Sequence, residues 1–127
     1  MASYRQPNVQ SYIALSAVER GDAVILDSSN NDQVEKATLN TSLSIGIALC
    51  AAAAGETVDV AMPGGGAVGR AGESISAGKL LVAGADGELF QTNTSGDRVI
   101  GMAMEDAVVN DIFAIEVVVA IATAADL

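Results

Sequence analysis

The sequence has no histidine and no tryptophan, and its 127 residues include one cysteine and two prolines. Without histidine, the chain lacks the side chain most used for acid–base catalysis near neutral pH and the commonest imidazole ligand of metal ions. The single cysteine excludes an internal disulfide, and its place in the small apolar run at 47–54 predicts that Cys50 is a buried hydrophobe. No apolar run reaches the ~18 residues of a membrane-spanning helix, and none follows Arg5, so we expect neither a membrane span nor a secretory signal.

Basic residues are also scarce, since 6 Lys and Arg face 16 Asp and Glu and leave a net charge of −10. This charge repels phosphate backbones and anionic lipid surfaces, so we expect neither nucleic acid nor a membrane as a partner. Half of the residues are apolar and the mean hydropathy is +0.40, which is enough apolar surface for a folded core. Only 2 Tyr and 2 Phe accompany 13 Gly, so the core is predicted to consist of small and aliphatic side chains.

The chain contains two copies of one sequence unit. Three segments of the first half align with three of the second half, at an offset of 57 residues for the first pair and 55 for the other two. Loops tolerate such a change in length, so we place it between the first two strands of each unit. The aligned pairs are 21–26 (GDAVIL) with 78–83 (GKLLVA), 45–49 (IGIAL) with 100–104 (IGMAM), and 55–60 (GETVDV) with 110–115 (NDIFAI).

Each unit is predicted to consist of short strands separated by clusters of Asn, Asp, Ser and Gly. A helix at 47–54 is the alternative for that segment, but eight residues are few for a helix. Repeated short strands with glycine-rich turns predict an all-β fold, a small barrel or sandwich built from the two pseudo-repeated units. The predicted strands are 23–26, 33–38, 44–49, 57–62, 79–83, 89–92, 98–104 and 112–121.

We divide the chain into an extended N-terminal arm and a β domain. The polar residues 1–12 lie outside both copies and form the predicted arm, and residues 13–127 form a single domain. Within it, the repeat units span about 20–62 and 77–119 and are joined by a glycine-rich connector at 63–76.

Two sequence patterns resemble ligand sites but lack their context. Residues 64–69 (GGGAVG) match GxGxxG, yet a dinucleotide site needs a helix N-terminus next to hold the pyrophosphate, and residues 70–74 (RAGES) are glycine-rich and non-helical. The acidic residues at 27–35 do not keep the ligand frame of an EF-hand loop. We therefore predict no catalytic residues, no cofactor, no metal site and no enzymatic activity.

Five segments carry a resemblance to a known family. They are 20–24 (RGDAV), 44–48 (SIGIA), 53–60 (AAGETVDV), 77–81 (AGKLL) and 100–103 (IGMA). In these segments the sequence resembles the head decoration, or cement, proteins of tailed bacteriophages. The resemblance implies a structural virion protein that binds the outer surface of the expanded capsid and stabilises the shell at joints between capsomers. It also implies the major capsid protein shell as partner, a homo-oligomer with a trimer favoured, and location on the virion after synthesis in the host cytoplasm.

The arm contains the best candidates for capsid contact. It holds both tyrosines and one of the few cations, and Tyr and Arg are enriched at interface hot spots. An extended arm can also add a strand to a shell subunit, although a frayed tail is the alternative. The candidates are Tyr4, Arg5, Gln6, Pro7 and Tyr12, followed by Arg70 and Arg98, for each of which a solvated side chain is the simpler expectation.

A second functional class is a β-barrel binding module on a virion fibre, or on another partner, that recognises carbohydrate or protein. Carbohydrate-binding modules present exposed aromatic platforms, and 2 Tyr with 2 Phe leave few side chains for one. The composition therefore favours the decoration protein over this alternative.

Overall fold

A computed structural model describes residues 8–27, 29, 32–40 and 42–123. These residues form ten β-strands and no helix, which confirms the predicted all-β class. In this part of the chain no helix is long and apolar enough to cross a membrane. The strands are β1 (Val9–Ala14), β2 (Ala23–Leu26), β3 (Gln33–Lys36), β4 (Ser44–Ala48), β5 (Thr57–Ala61), β6 (Gly66–Arg70), β7 (Leu80–Ala83), β8 (Leu89–Gln91), β9 (Arg98–Ala103) and β10 (Ile112–Ile121).

The predicted duplication is present in the strand order. Strands β1–β5, the first unit, form a closed barrel in the order β1-β3-β2-β4-β5, and strands β6–β10, the second unit, form a sheet in the order β6-β10-β9-β7-β8. Every pair of neighbouring strands in the first unit except β1–β3 has a counterpart in the second unit whose strand numbers are higher by five. The parallel β1–β3 ladder, which includes Ala14 opposite Val34, closes the barrel. A single parallel bridge between Ala71 and Leu89 stands in its place in the second unit, which therefore remains open between β6 and β8.

Two strands were not predicted. β1 includes residues 9–12 of the predicted arm, and β6 lies within the predicted connector. Both form through distant partners, because β1 pairs with β5 and β6 pairs with β10. Gly69 of β6 packs against Leu89 of β8, because a Cβ at Gly69 would overlap Leu89 Cδ1. Each unit therefore has five strands and begins with the strand that the sequence patterns did not reveal.

The first unit fills the gap in the second. The Arg70 N–H, at the end of β6, donates to the Gly21 carbonyl at 3.3 Å, and the Ala23 N–H donates to the carbonyl of Gly87, before β8, at 2.9 Å. Side chains on the outside of the first barrel, including Ala23 and Ile47, belong to the same buried cluster as the interior of the second unit. The barrel of the first unit has its own separate core of valines and alanines. The two units thus share one apolar interface, which fixes their relative position.

The expectation for Cys50 was wrong, because this residue is exposed. It lies in a bend that follows β4. Its neighbour Ala52 is the buried residue of this segment, because it bridges to Val18 and packs in the barrel core. An Ala-rich run therefore did not reveal which of its side chains point inward.

Candidate interaction surfaces

The predicted contact residues separate into described and undescribed ones. Tyr4, Arg5, Gln6 and Pro7 lie outside the described residues. Tyr12 lies in β1 opposite Val58 of β5, and its ring packs against the core of the first barrel. Its hydroxyl donates to Gln10 Oε1 at 3.1 Å. Tyr12 is therefore half-buried in the barrel wall, with its hydroxyl at the surface.

Arg70 is not the solvated side chain that was expected. Its Nη2 lies 2.9 Å from Asp22 Oδ1, and the same nitrogen donates to the Asp86 carbonyl oxygen at 2.8 Å. Asp22 has no exposed surface, and its Oδ2 accepts the N–H of Glu19 at 2.9 Å. Since Asp22 belongs to the first unit and Arg70 to the second, this buried ion pair ties the two units together at the gap between β6 and β8. Lys36 adds a more exposed bond across the same interface, 2.8 Å from Asp86 Oδ1.

Burial and hydrogen bonding shift the pKa values of this network. Loss of solvation raises the pKa of the Asp22 carboxyl above its ordinary value, although the hydrogen bonds from Arg70 and from the Glu19 N–H partly offset that rise. The hydrogen bond to Asp22 raises the pKa of Arg70, so the guanidinium stays charged. At the exposed end of the network, the hydrogen bond from Lys36 lowers the pKa of Asp86. These groups act in structure, because Arg70 Nη2 donates to Asp22 and Asp86, and Lys36 Nζ donates to Asp86.

Arg98 borders an apolar groove at one end of the first barrel. Its Nη2 donates to the Ser44 carbonyl at 3.4 Å, and its backbone N–H donates to the Asn40 carbonyl at 2.9 Å. The groove has a volume of about 450 Å³. Besides Arg98, it is lined by Ile25, Leu26, Leu43 and Ile45.

A second cavity, of about 400 Å³, lies between the two units, with Phe90 among its lining residues. The carboxylate of Asp97, only 2% exposed, accepts hydrogen bonds from Asn40 Nδ2 at 2.6 Å and Thr92 Oγ1 at 3.0 Å. Glu73 accepts the Gln91 N–H at 2.9 Å. These carboxylates therefore hold the loops together, and no group of metal-ligating side chains occurs among the described residues.

In each unit a loop joins the last two strands. We call these loops the first tip (residues 49–57) and the second tip (residues 104–112). The second tip exposes four large apolar side chains, from 45% to 58% of their surface. The first tip has smaller or polar residues at three of the four matching positions. The exposed residues are Met104, Val108, Val109 and Ile112, which match Leu49, Ala53, Ala54 and Thr57.

Sequence reasoning missed the second tip as a candidate surface. The sequence signal for this surface was the alignment of the two copies, in which Ala-Ala of the first tip is aligned with Val-Val of the second. That difference matters only once the turn is known to be exposed, because a Val-Val pair before a strand is equally typical of a buried segment.

Residues 5–121 match the sequence profile of the phage cement protein family. Because the match spans nearly the whole chain, the protein belongs to this family and is a structural protein of the phage virion. The fold resembles the crystal structure of the N base of head fibre gp8.5 from bacteriophage phi29, with a TM-score of 0.70 and 22% identity over 88% of this chain and 94% of that one. The search of curated proteins found no match to the sequence.

Proposed function

We propose that this protein binds the outer surface of the expanded phage capsid and stabilises the shell at joints between capsomers, without enzymatic activity. The observation that carries the proposal is membership of the cement family over residues 5–121. The net charge of −10 supports it, because an outer-surface protein gains nothing from affinity for packaged DNA and must stay soluble at high copy number.

The mechanism is stabilisation by mass action. A protein that binds only the expanded shell favours that state by RT ln(1 + [L]/Kd) at each site, which is about 2.7 kcal/mol when its concentration is 100 times Kd. Many such sites on one shell add their effects. The buried Asp22–Arg70 pair supports this role, because it holds the two units as one body that can span a joint without bending.

The proposed partner is the shell of major capsid protein. We further propose that the protein is a homotrimer and that its N-terminal residues form one of the contacts with the shell. The described chain begins at Asn8, whose carbonyl accepts the Met62 N–H at 2.7 Å. The proposed shell contacts are the arm candidates Tyr4, Arg5, Gln6 and Pro7, which precede the described residues, together with Tyr12 of β1. The composition supports them, because Tyr and Arg are enriched at interface hot spots.

A second candidate function is a base module of a virion fibre, which the likeness to the phi29 head fibre N base favours. Such a module carries a further partner, carbohydrate or protein, in addition to its attachment to the head. The two candidates differ in what happens on the isolated shell. A decoration protein raises the resistance of the shell to heat, whereas a fibre base attaches without doing so.

The test is co-sedimentation of the purified chain with expanded phage heads that lack it and, in parallel, with unexpanded precursor shells. Saturable binding to the expanded heads alone, together with a higher temperature of head disruption, supports the proposal. Binding without added heat resistance favours the fibre base. Binding to neither kind of shell refutes both.

A further inference from the structure

The two tips have the same backbone but different surfaces. In the first tip the Gly55 N–H donates to the Ala14 carbonyl at 2.7 Å, and in the second the Asn110 N–H donates to the Ala71 carbonyl at 2.8 Å. Gly55 and Asn110 both have a positive φ, of 86° and 73°. Asn110 is the one non-glycine residue of the described chain with this conformation, which asparagine adopts more readily than most residues.

Side-chain hydrogen bonds hold the second tip in place. The N–H of Val108 donates to Asp111 Oδ2 at 3.0 Å, and the first tip has the matching bond between Ala53 and Glu56. Two further carboxylates of the second tip accept backbone N–H groups, with distances of 2.8 Å from Ala77 to Asp106 and 2.7 Å from Ala114 to Glu105. A loop fixed in this way needs little further ordering of its backbone on binding.

The charge around the apolar side chains has one sign. Residues 104–112 contain three acidic residues, Glu105, Asp106 and Asp111, and no basic residue. If two copies of this chain met through their second tips, six carboxylates would come together around the contact, and like charges across an interface are strongly unfavourable. The charge therefore selects against a second copy and in favour of a partner with lysine or arginine at the edge of an apolar depression.

We propose that the second tip is the surface that docks onto the capsid shell, with Met104, Val108, Val109 and Ile112 filling an apolar depression edged by basic residues of a shell subunit. This proposal rests on the proposed function and adds the contact surface and the chemistry of its partner. The first tip, which lacks three of the four large side chains, is the non-binding copy of the same loop.

The duplication supplies the test variant. Met104→Leu, Val108→Ala, Val109→Ala and Ile112→Thr together give the second tip the residues of the first, which the same backbone already accommodates. In a co-sedimentation titration with expanded heads that lack the protein, this variant should half-saturate the heads at a concentration at least about tenfold higher than the wild type, since truncated anchor residues typically weaken binding by that factor or more. Its melting curve and oligomeric state should match those of the wild type.

A matched control removes exposed apolar surface elsewhere. Leu39→Ala with Leu43→Ala truncates side chains that are 60% and 68% exposed in the first unit. This variant should bind like the wild type. If it loses binding while the tip variant keeps it, the docking surface lies on the first unit and the proposal is wrong.

The charge argument has its own variant. Glu105→Gln, Asp106→Asn and Asp111→Asn keep oxygen acceptors for the three backbone N–H groups and remove the three charges. Binding to the heads should weaken severalfold and lose much of its dependence on salt concentration. Equal or tighter binding of this variant would refute the inference that basic residues of the shell subunit border the apolar depression.

The outcomes separate the two proposals. If the wild type binds expanded heads and the tip variant binds equally well, the docking surface is wrong and the capsid function stands. If the tip variant changes only the oligomeric state, the tip joins copies of this chain and the docking surface is again wrong. If the wild type binds no heads, the proposed function fails first.

Discussion

Replacing Arg70 by methionine is expected to destabilise the fold strongly at neutral pH. The substitution keeps much of the apolar length of the side chain but leaves the Asp22 carboxylate, which has no exposed surface, without its cation. Removing one partner of a buried ion pair costs about 3–5 kcal/mol. We expect the lower end, about 3 kcal/mol, because the N–H of Glu19 still donates to Asp22 and Arg70 itself is partly exposed.

The measurement is the free energy of unfolding from chemical denaturation, with the melting temperature as a second readout. At this chain length each kcal/mol shifts Tm by about 3–5 °C, so the Arg70→Met variant should melt about 10 °C below the wild type. The double variant Asp22→Asn with Arg70→Met no longer buries a charge and should recover most of the loss. An Arg70→Met variant within about 0.5 kcal/mol of the wild type would refute the reasoning, because a value this small is typical of surface substitutions.

The pH dependence gives a further check with a definite sign. Burial raises the pKa of Asp22 in the folded state, so the folded protein binds this proton more tightly than the unfolded chain does. The contribution of Asp22 to stability is therefore greatest below the unfolded carboxyl pKa of about 3.9 and is lost as the pH rises through the folded pKa. Without Arg70 the folded pKa rises further, so the deficit of the Arg70→Met variant should shrink as the pH falls toward 4. A deficit that is the same at pH 4.5 and pH 7.5 would contradict this account.

Three further predictions test other parts of the structure. Removal of residues 1–7, which precede β1, should leave the melting curve unchanged and weaken binding to expanded heads, and unchanged affinity would remove the arm as a contact. Gly69→Ala, whose new methyl group would overlap the Leu89 side chain, should lower stability by about 2 kcal/mol in a denaturant titration. Gly66→Ala, in the same strand with its nearest contact at 3.9 Å, is the control and should change stability little. Cys50 is exposed and should react in the folded protein with a thiol-specific reagent at the rate of a free thiol, whereas slow reaction would restore the buried assignment.

Local sequence patterns were sufficient to predict a strand where its own residues have a clear alternation or a strongly apolar composition. The bounds predicted for β2 and β10 match those observed, because each is an apolar run rich in β-branched residues that begins directly after turn residues. The duplication was also visible from the sequence, since the same turns and small residues recur at offsets of 57 and 55 residues.

The strands β1 and β6 were not predictable in this way. β6 (Gly66–Arg70) is glycine-rich and resembles a loop, and it is a strand because it pairs with β10. One of its glycines, Gly69, is required because Leu89 packs where a Cβ would lie. β1 is exposed over its first three residues, so it lacks the clear alternation of a half-buried strand. Their partners are distant in the chain, and no local window contains them.

The candidate contact residues also divide into features that the local sequence indicates and features that depend on distant contacts. Composition directed attention to the arm, and Tyr12 was found in the wall of the first barrel. The second tip escaped notice because its valines are typical of a buried strand until the turn places them outside. Arg70 was expected in solvent because the cation and its partner Asp22 are 48 residues apart and in different copies.

Period, composition and charge are local or additive properties, and they were enough to predict a duplicated all-β fold with a small aliphatic core and an acidic surface. Packing between the two units leaves one copy a closed barrel and the other open, with residues 21–23 of the first filling the gap. The tertiary structure also places Val108 and Val109 of the second tip at the surface, whereas the smaller Ala53 and Ala54 of the first tip are set by the sequence. These outcomes depend on the packing of one unit against the other, and contacts between distant segments are not encoded in the pattern of either segment alone.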